Sequence, residues 1–161
     1  MRNELRAVAL AAGALALGPW TAEAGKGPSK PETPFAIRVF TVQTDKPTID
    51  STSDVRRAVE KKGDWFRLVE SEEEADIVLE LVSRDFSQDK ALVVRGRLST
   101  ANLKSAAIVG QCIPGVLDIG GPWKSAAGDM VKRVQNFARE SYDELAQAQK
   151  KAKARQAAAG R

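Results

Sequence analysis

A helix-period segment held between two strand-like runs constrains this chain more than any other feature. Residues 35–42 (FAIRVFTV) are rich in β-branched and aromatic side chains and read as a buried strand, as do residues 65–69 (WFRLV). Between them Val55, Ala58 and Val59 recur at i, i+3 and i+4, with Arg56, Arg57, Glu60, Lys61 and Lys62 turned outward. Ser51 with Asp54 makes an acidic variant of the capping box, and Gly63 ends the turn. This predicts a loop at 45–50 and a short helix over 51–62. A strand, a helix and a strand in that order form a right-handed crossover that leaves the two strands parallel.

Downstream, residues 70–76 (ESEEEAD) read as an acidic turn, with one helical turn begun by Ser71. Residues 77–82 (IVLELV) form the most apolar run and belong at the centre of a sheet. After a turn at 86–90, residues 91–99 alternate: Leu92, Val94, Gly96 and Leu98 share one face, Arg95 and Arg97 the other. That pattern fits an antiparallel hairpin with one wet face. Residues 106–109 read as a short edge strand, and 110–122 as an apolar loop rich in glycine and proline. From Ser125 a helical stripe runs through Ala127, Met130, Val131, Val134, Phe137, Ala138, Tyr142 and Leu145. The expected fold is α/β (α+β), in the order β-α-β-β-β-α. Its mixed sheet has four to five strands with two helices packed on it, all within a single domain over 35–148.

The two ends differ from this body. Arg2 and Arg6 precede an apolar run at 7–18, Pro19 breaks it, and Ala22-Glu23-Ala24 offers small side chains where a signal peptidase needs them. Residues 1–24 therefore read as a signal peptide cut after Ala24. A dozen apolar residues rise only about 18 Å as helix, against a hydrocarbon core of about 30 Å. Residues 25–34 (GKGPSKPETP) are a flexible lead-in. Residues 149–161 form a basic tail: Lys150, Lys151, Lys153, Arg155 and Arg161 stand without an acid, so the net charge of +4 leaves residues 25–149 at −1. With no apolar stripe the tail is expected to fray. It lacks aromatics for base stacking, so nucleic acid is not an expected partner, whereas weak contact with an anionic membrane surface is.

The chain contains no histidine and one cysteine. Ser-His-Asp and Cys-His catalysis are thereby excluded, as is a histidine-ligated zinc or iron site. Cys112 cannot close an intramolecular disulfide and reads as a packed thiol, or one that pairs between chains. It stands too far from the cleavage site to be lipidated. The crowded Glu70, Glu72, Glu73, Glu74 and Asp76 lack the frame of a calcium loop and read as a solvated turn. Glu80 is expected to face outward or to pair with Arg95 or Arg97. The run Gly120-Gly121-Pro122-Trp123-Lys124-Ser125 departs from a phosphate loop because Trp123 precedes Lys124, and reads as a turn that seats Trp123 against the sheet. No catalytic, cofactor-binding or metal-ligating residue is assigned, and no cofactor is expected.

The element order and the line over 69–82 (VESEEEADIVLELV) resemble the small α/β domain of exported bacterial envelope proteins. That domain occurs at the N-terminus of the Tol-system periplasmic protein and in curli-secretion-type and penicillin-binding-protein-activator-type lipoproteins. Short secreted bacterial proteins of unknown function also open a last helix with tryptophan, as Trp123-Lys124-Ser125-Ala126-Ala127 does here. The resemblance implies a non-enzymatic binding or assembly module in the periplasm or outside the cell, with an envelope or extracellular protein as partner. Membrane anchoring does not carry over, since the lipidated cysteine is missing. The alternative is an exported hydrolase using carboxylates, Asp118 and Asp129, around the glycine-rich loop 110–122. Export predicts a mature N-terminus at Gly25. N-terminal sequencing of the exported protein checks it, and Met1 retained on cytosolic protein would contradict it.

Overall fold

The computed structural model describes residues 28–103, 105–114 and 121–159. The signal-peptide segment, Asp118 and Gly120 lie outside them. Five strands and three helices follow in the order β1 (Phe35–Thr41), α1 (Lys46–Glu60), β2 (Phe66–Leu68), β3 (Ile77–Phe86), β4 (Leu92–Thr100), β5 (Ala106–Cys112), α2 (Pro122–Glu140) and α3 (Tyr142–Ala159). They build one mixed sheet in the spatial order β2-β1-β3-β4-β5. β1 pairs in parallel with β2 and β3, and the β3-β4-β5 meander is antiparallel. The expected fold class is therefore the one observed, with β3, which carries the apolar run 77–82, at the centre of the sheet.

Several boundaries move, each for an identifiable reason. The loop expected at 45–50 is the first turn of α1. Asp45 is the N-cap, its carboxylate accepting from the Thr48 N–H at 2.9 Å, and Pro47 occupies the first turn, where a missing N–H costs nothing. β3 extends to Phe86 instead of stopping at Val82, because a bulge between Leu81 and Ser83 lets it continue beside β4. β5 takes in Gly110, Gln111 and Cys112 from the expected loop. α2 starts at Pro122, behind Gly121 at φ +84°, a conformation that favours glycine.

The terminal stripe is also two helices and not one. Ser141 breaks the run, and the tail expected to fray is the second half of α3. α3 is held by its first half. Leu145 is buried, Tyr142 meets Phe35 edge-on at 5.9 Å, and the Gln149 amide donates to the Pro34 carbonyl and to Asp76 Oδ2. The side chains of Lys150, Lys151, Lys153 and Arg155 are exposed.

The core lies on one side of the sheet. Phe35, Ile37, Val39, Ile77, Leu79, Leu81, Val94 and Leu98 meet Val55 and Val59 of α1 and Met130, Val131, Val134 and Ala138 of α2. Gly110 sets how close α2 lies: a Cβ there would stand 2.3 Å from the Ala126 carbonyl oxygen and 2.5 Å from Met130 Cβ. Gly110→Ala is therefore expected to destabilise the protein by about 2–4 kcal/mol, since backbone cannot yield as a side chain can. Gly128→Ala on the same helix meets nothing within 4 Å and is expected to be neutral or to stabilise by up to about 1 kcal/mol. Denaturant unfolding of both variants measures the difference.

Candidate functional site

The acidic turn is built into the body. Glu70 pairs with Arg56, Glu72 with Arg38 at 3.1 Å, and Ser71 donates to Glu73. Asp76 Oδ2 accepts from the Ala36 N–H at 2.8 Å and from Gln149 at 3.0 Å, tying the turn to β1 and α3. These carboxylates fan out to separate partners and do not converge on one cleft. Among the described residues, no group of three or more histidine, cysteine, aspartate or glutamate side chains is placed to hold a metal ion.

The glycine-rich region resolves in the same way where it is described. The Lys124 and Ser125 N–H groups both point to the Gly121 carbonyl, at 3.0 and 3.4 Å, and Pro122 has no N–H. Those amides close the first turn of α2 and form no anion cradle. Trp123 is half-buried, with the Arg84 guanidinium 3.7 Å above its ring and Phe86 edge-on at 5.5 Å. Asp129 accepts from Arg133 Nε at 2.9 Å and from the Gln111 N–H at 3.0 Å. Cys112, expected in a loop, ends β5 half-buried beside the core. Glu80 pairs with Arg97 at 3.8 Å, the second of its two expected partners.

Arg84 also reaches the first turn of α1. Thr52 and Ser53 each donate to the carbonyl four residues back, at 2.9 and 3.3 Å. The corresponding acceptor for Ser51 would be the Pro47 carbonyl, which accepts from Arg84 Nη1 at 3.4 Å and takes no bond from Ser51. Ser51, 1% exposed, is left as a buried hydroxyl without a hydrogen-bond partner among the described residues.

What remains unoccupied is the sheet itself. α1 and α2 cover one face, and no described element packs on the other. That second face presents Arg67 of β2; Arg38 and Phe40 of β1; Val78, Glu80, Ser83 and Asp85 of β3; Arg95 and Arg97 of β4, with Val93 buried beneath its neighbours; and Ala107, Val109 and Gln111 of β5. Arginines alternate with small apolar groups, and Arg38 lies 4.3 Å above the Phe40 ring. At the end where β1, β3 and β5 finish and α1 and α2 begin stand Val42, Ile49, Phe86 and Ile113, 66%, 45%, 70% and 78% exposed. Sequence reading located the wet face of β4 from its alternation. It missed the exposed end, because Phe86 and Ile113 fall in segments read as turn and loop.

No family model matches the chain, and no curated protein matches it by sequence. Among solved structures it is similar to the PelC dodecamer of Paraburkholderia phytofirmans, at 14% identity over 68% of this chain and 92% of that one, with a TM-score of 0.41. A superposition at that level does not define a common fold, and the functional reading rests on this chain's own residues. Among the described residues, no helix is long and apolar enough to cross a membrane.

Partner contacts hold Asp45, Glu70 and Glu73 below the ordinary carboxylate values of 3.8 and 4.5. Thr48 is the main cause for Asp45, Arg56 for Glu70 and Ser71 for Glu73. A depressed folded value means the contribution is present above the unfolded value and lost as pH falls through the folded one. With no histidine in the chain, the melting temperature is expected to stay flat between about pH 5.5 and 7 and to fall below about pH 4. Glu70→Gln should shrink that acid-side decline. Melting curves across this range test both statements.

Proposed function

We propose that this protein is an exported, non-enzymatic α/β domain that binds a protein of the bacterial envelope or extracellular space. The observation that carries the reading is the uncovered sheet face, where arginines stand among valines, phenylalanine and alanine on a rigid platform. Half-apolar surface of this kind is what protein interfaces are made from. The reading also draws on the signal-peptide pattern of residues 1–24. It draws further on the engagement of Asp129, Glu80 and the acidic turn in structural contacts, which leaves them no convergent catalytic geometry among the described residues.

The basic half of α3 is proposed to add a weak electrostatic contact with an anionic membrane surface, worth about 1 kcal/mol per basic residue close to the lipid. In crosslinking of the exported protein within the envelope fraction, a discrete partner is expected, and Arg95→Glu with Arg97→Glu should diminish its capture. Truncation after Gln149 should leave capture intact and lower sedimentation with anionic vesicles, an effect that salt abolishes as the screening length shrinks below about 8–10 Å. Capture that ignores the arginine substitutions would move the interface off this face.

A further inference from the structure

β5 is the last strand of the sheet, and among the described residues its outer edge is unused but for one bond. The Gln111 N–H donates to Asp129 of α2, so Gln111 faces away from β4. An antiparallel ladder alternates, and the N–H and C=O groups of Ala107 and Val109 therefore point outward as well. Edge strands are ordinarily blunted by charge, proline or brevity. β2, the opposite edge, has only three residues, whereas β5 runs for seven (AAIVGQC) with no charge and no proline.

The position of α2 decides what fits there. Backbone of α2 lies against Gly110 so tightly that no Cβ is accommodated, which puts the helix directly over β5. Two copies joined edge to edge in antiparallel fashion would carry their helix layers on the same side. Their α2 helices would then lie about one strand spacing apart, roughly 5 Å, where packed helices need about 8–10 Å. A second copy joined antiparallel is therefore excluded from this edge, while an extended segment with no helix of its own is accommodated. The chemistry of that segment follows from the register. Ala107 sits beside Arg97 and Val109 beside Arg95, on the uncovered face. Both arginine side chains are more than half exposed, and their pairs with Glu80 and Asp85 are loose, at 3.8 and 3.7 Å. The small Ala107 leaves Arg97 open to the next strand position.

We propose that the free edge of β5 takes up an extended acidic segment of a partner protein as a sixth strand, its carboxylates meeting Arg97 and Arg95. This rests on the binding reading above. The probes are two blocked heptapeptides, Thr-Glu-Val-Glu-Thr-Glu-Val and its lysine counterpart, titrated into the exported protein and followed by amide and arginine Nε–H chemical shifts. The glutamate peptide is expected to shift Ala107, Val109, Arg95 and Arg97, and the lysine peptide to bind about tenfold more weakly or less. Val109→Pro removes an outward N–H and spares the bonds to β4, so affinity should fall by about tenfold or more. Arg97→Glu should reverse the preference between the two peptides, which keeps the test decisive should the proline variant misfold. Glutamate-peptide binding that survives both substitutions, or its absence at millimolar peptide, overturns the proposal. A partner crosslinked equally well by the wild type and by folded Val109→Pro overturns the edge site alone and leaves the binding reading standing. Failure of the wild type to crosslink any partner, with peptide binding intact, removes the binding reading and not the edge site.

Discussion

The contact between Gly110 and the backbone of α2 governs more of this molecule than its area would indicate. With no side chain between them, helix and strand meet at a distance that only glycine permits. α2 thereby sits over the edge of the sheet, α1 fills the space over β1 to β3, and both helices share one face. The stripe Met130, Val131, Val134 and Ala138 is then exhausted on that face, and no described element packs on the other. An asymmetric sandwich of two layers follows, with one packed side and one side of arginines and small apolar groups.

Periodicity made most of this fold legible, since period-2 and period-3.6 patterns report directly which face is buried. β1, β3, β4 and the stripe of α2 were readable because their buried faces are long and unbroken. The start of α1 was not, although its signal was present: Asp45 and Pro47 are an N-cap and a first-turn proline, but a Lys-Pro pair following a strand reads equally well as a loop. The extension of β5 was hidden by Gly110, which in isolation reads as a break and in the structure marks a close approach. α3 carries no stripe beyond Leu145, and its helical tail follows from propensity in Ala, Lys, Gln and Arg, a weaker signal than packing.

The surface was legible in part. Glu80 inside an apolar strand announced a cross-strand cation, and the register supplied Arg97. That the acidic turn would spread over Arg56, Arg38, Ala36 and Gln149 was not readable, because its partners lie up to 73 residues away in sequence. No local pattern encodes such pairings; they come into being only when the parallel strands align. The same holds for the outward groups of β5, whose availability depends on strand order and not on composition.

The bulge at Val82 works as a change of reading frame within β3. Ahead of it Ile77, Leu79 and Leu81 point to the helices; beyond it Arg84 and Phe86 do so, where strict alternation would have sent Ser83 and Asp85. Skipping Val82 in the ladder is what aims Arg84 at Trp123 and the Pro47 carbonyl. A strand of the same sequence paired without the bulge would drive a carboxylate beneath α2 and turn the guanidinium out among Arg95 and Arg97. The facing of residues 83–86 is thus set by where the ladder slips and not by composition, and it is held by both layers at once, although the segment stands at the exposed end of a hairpin where register is ordinarily loose.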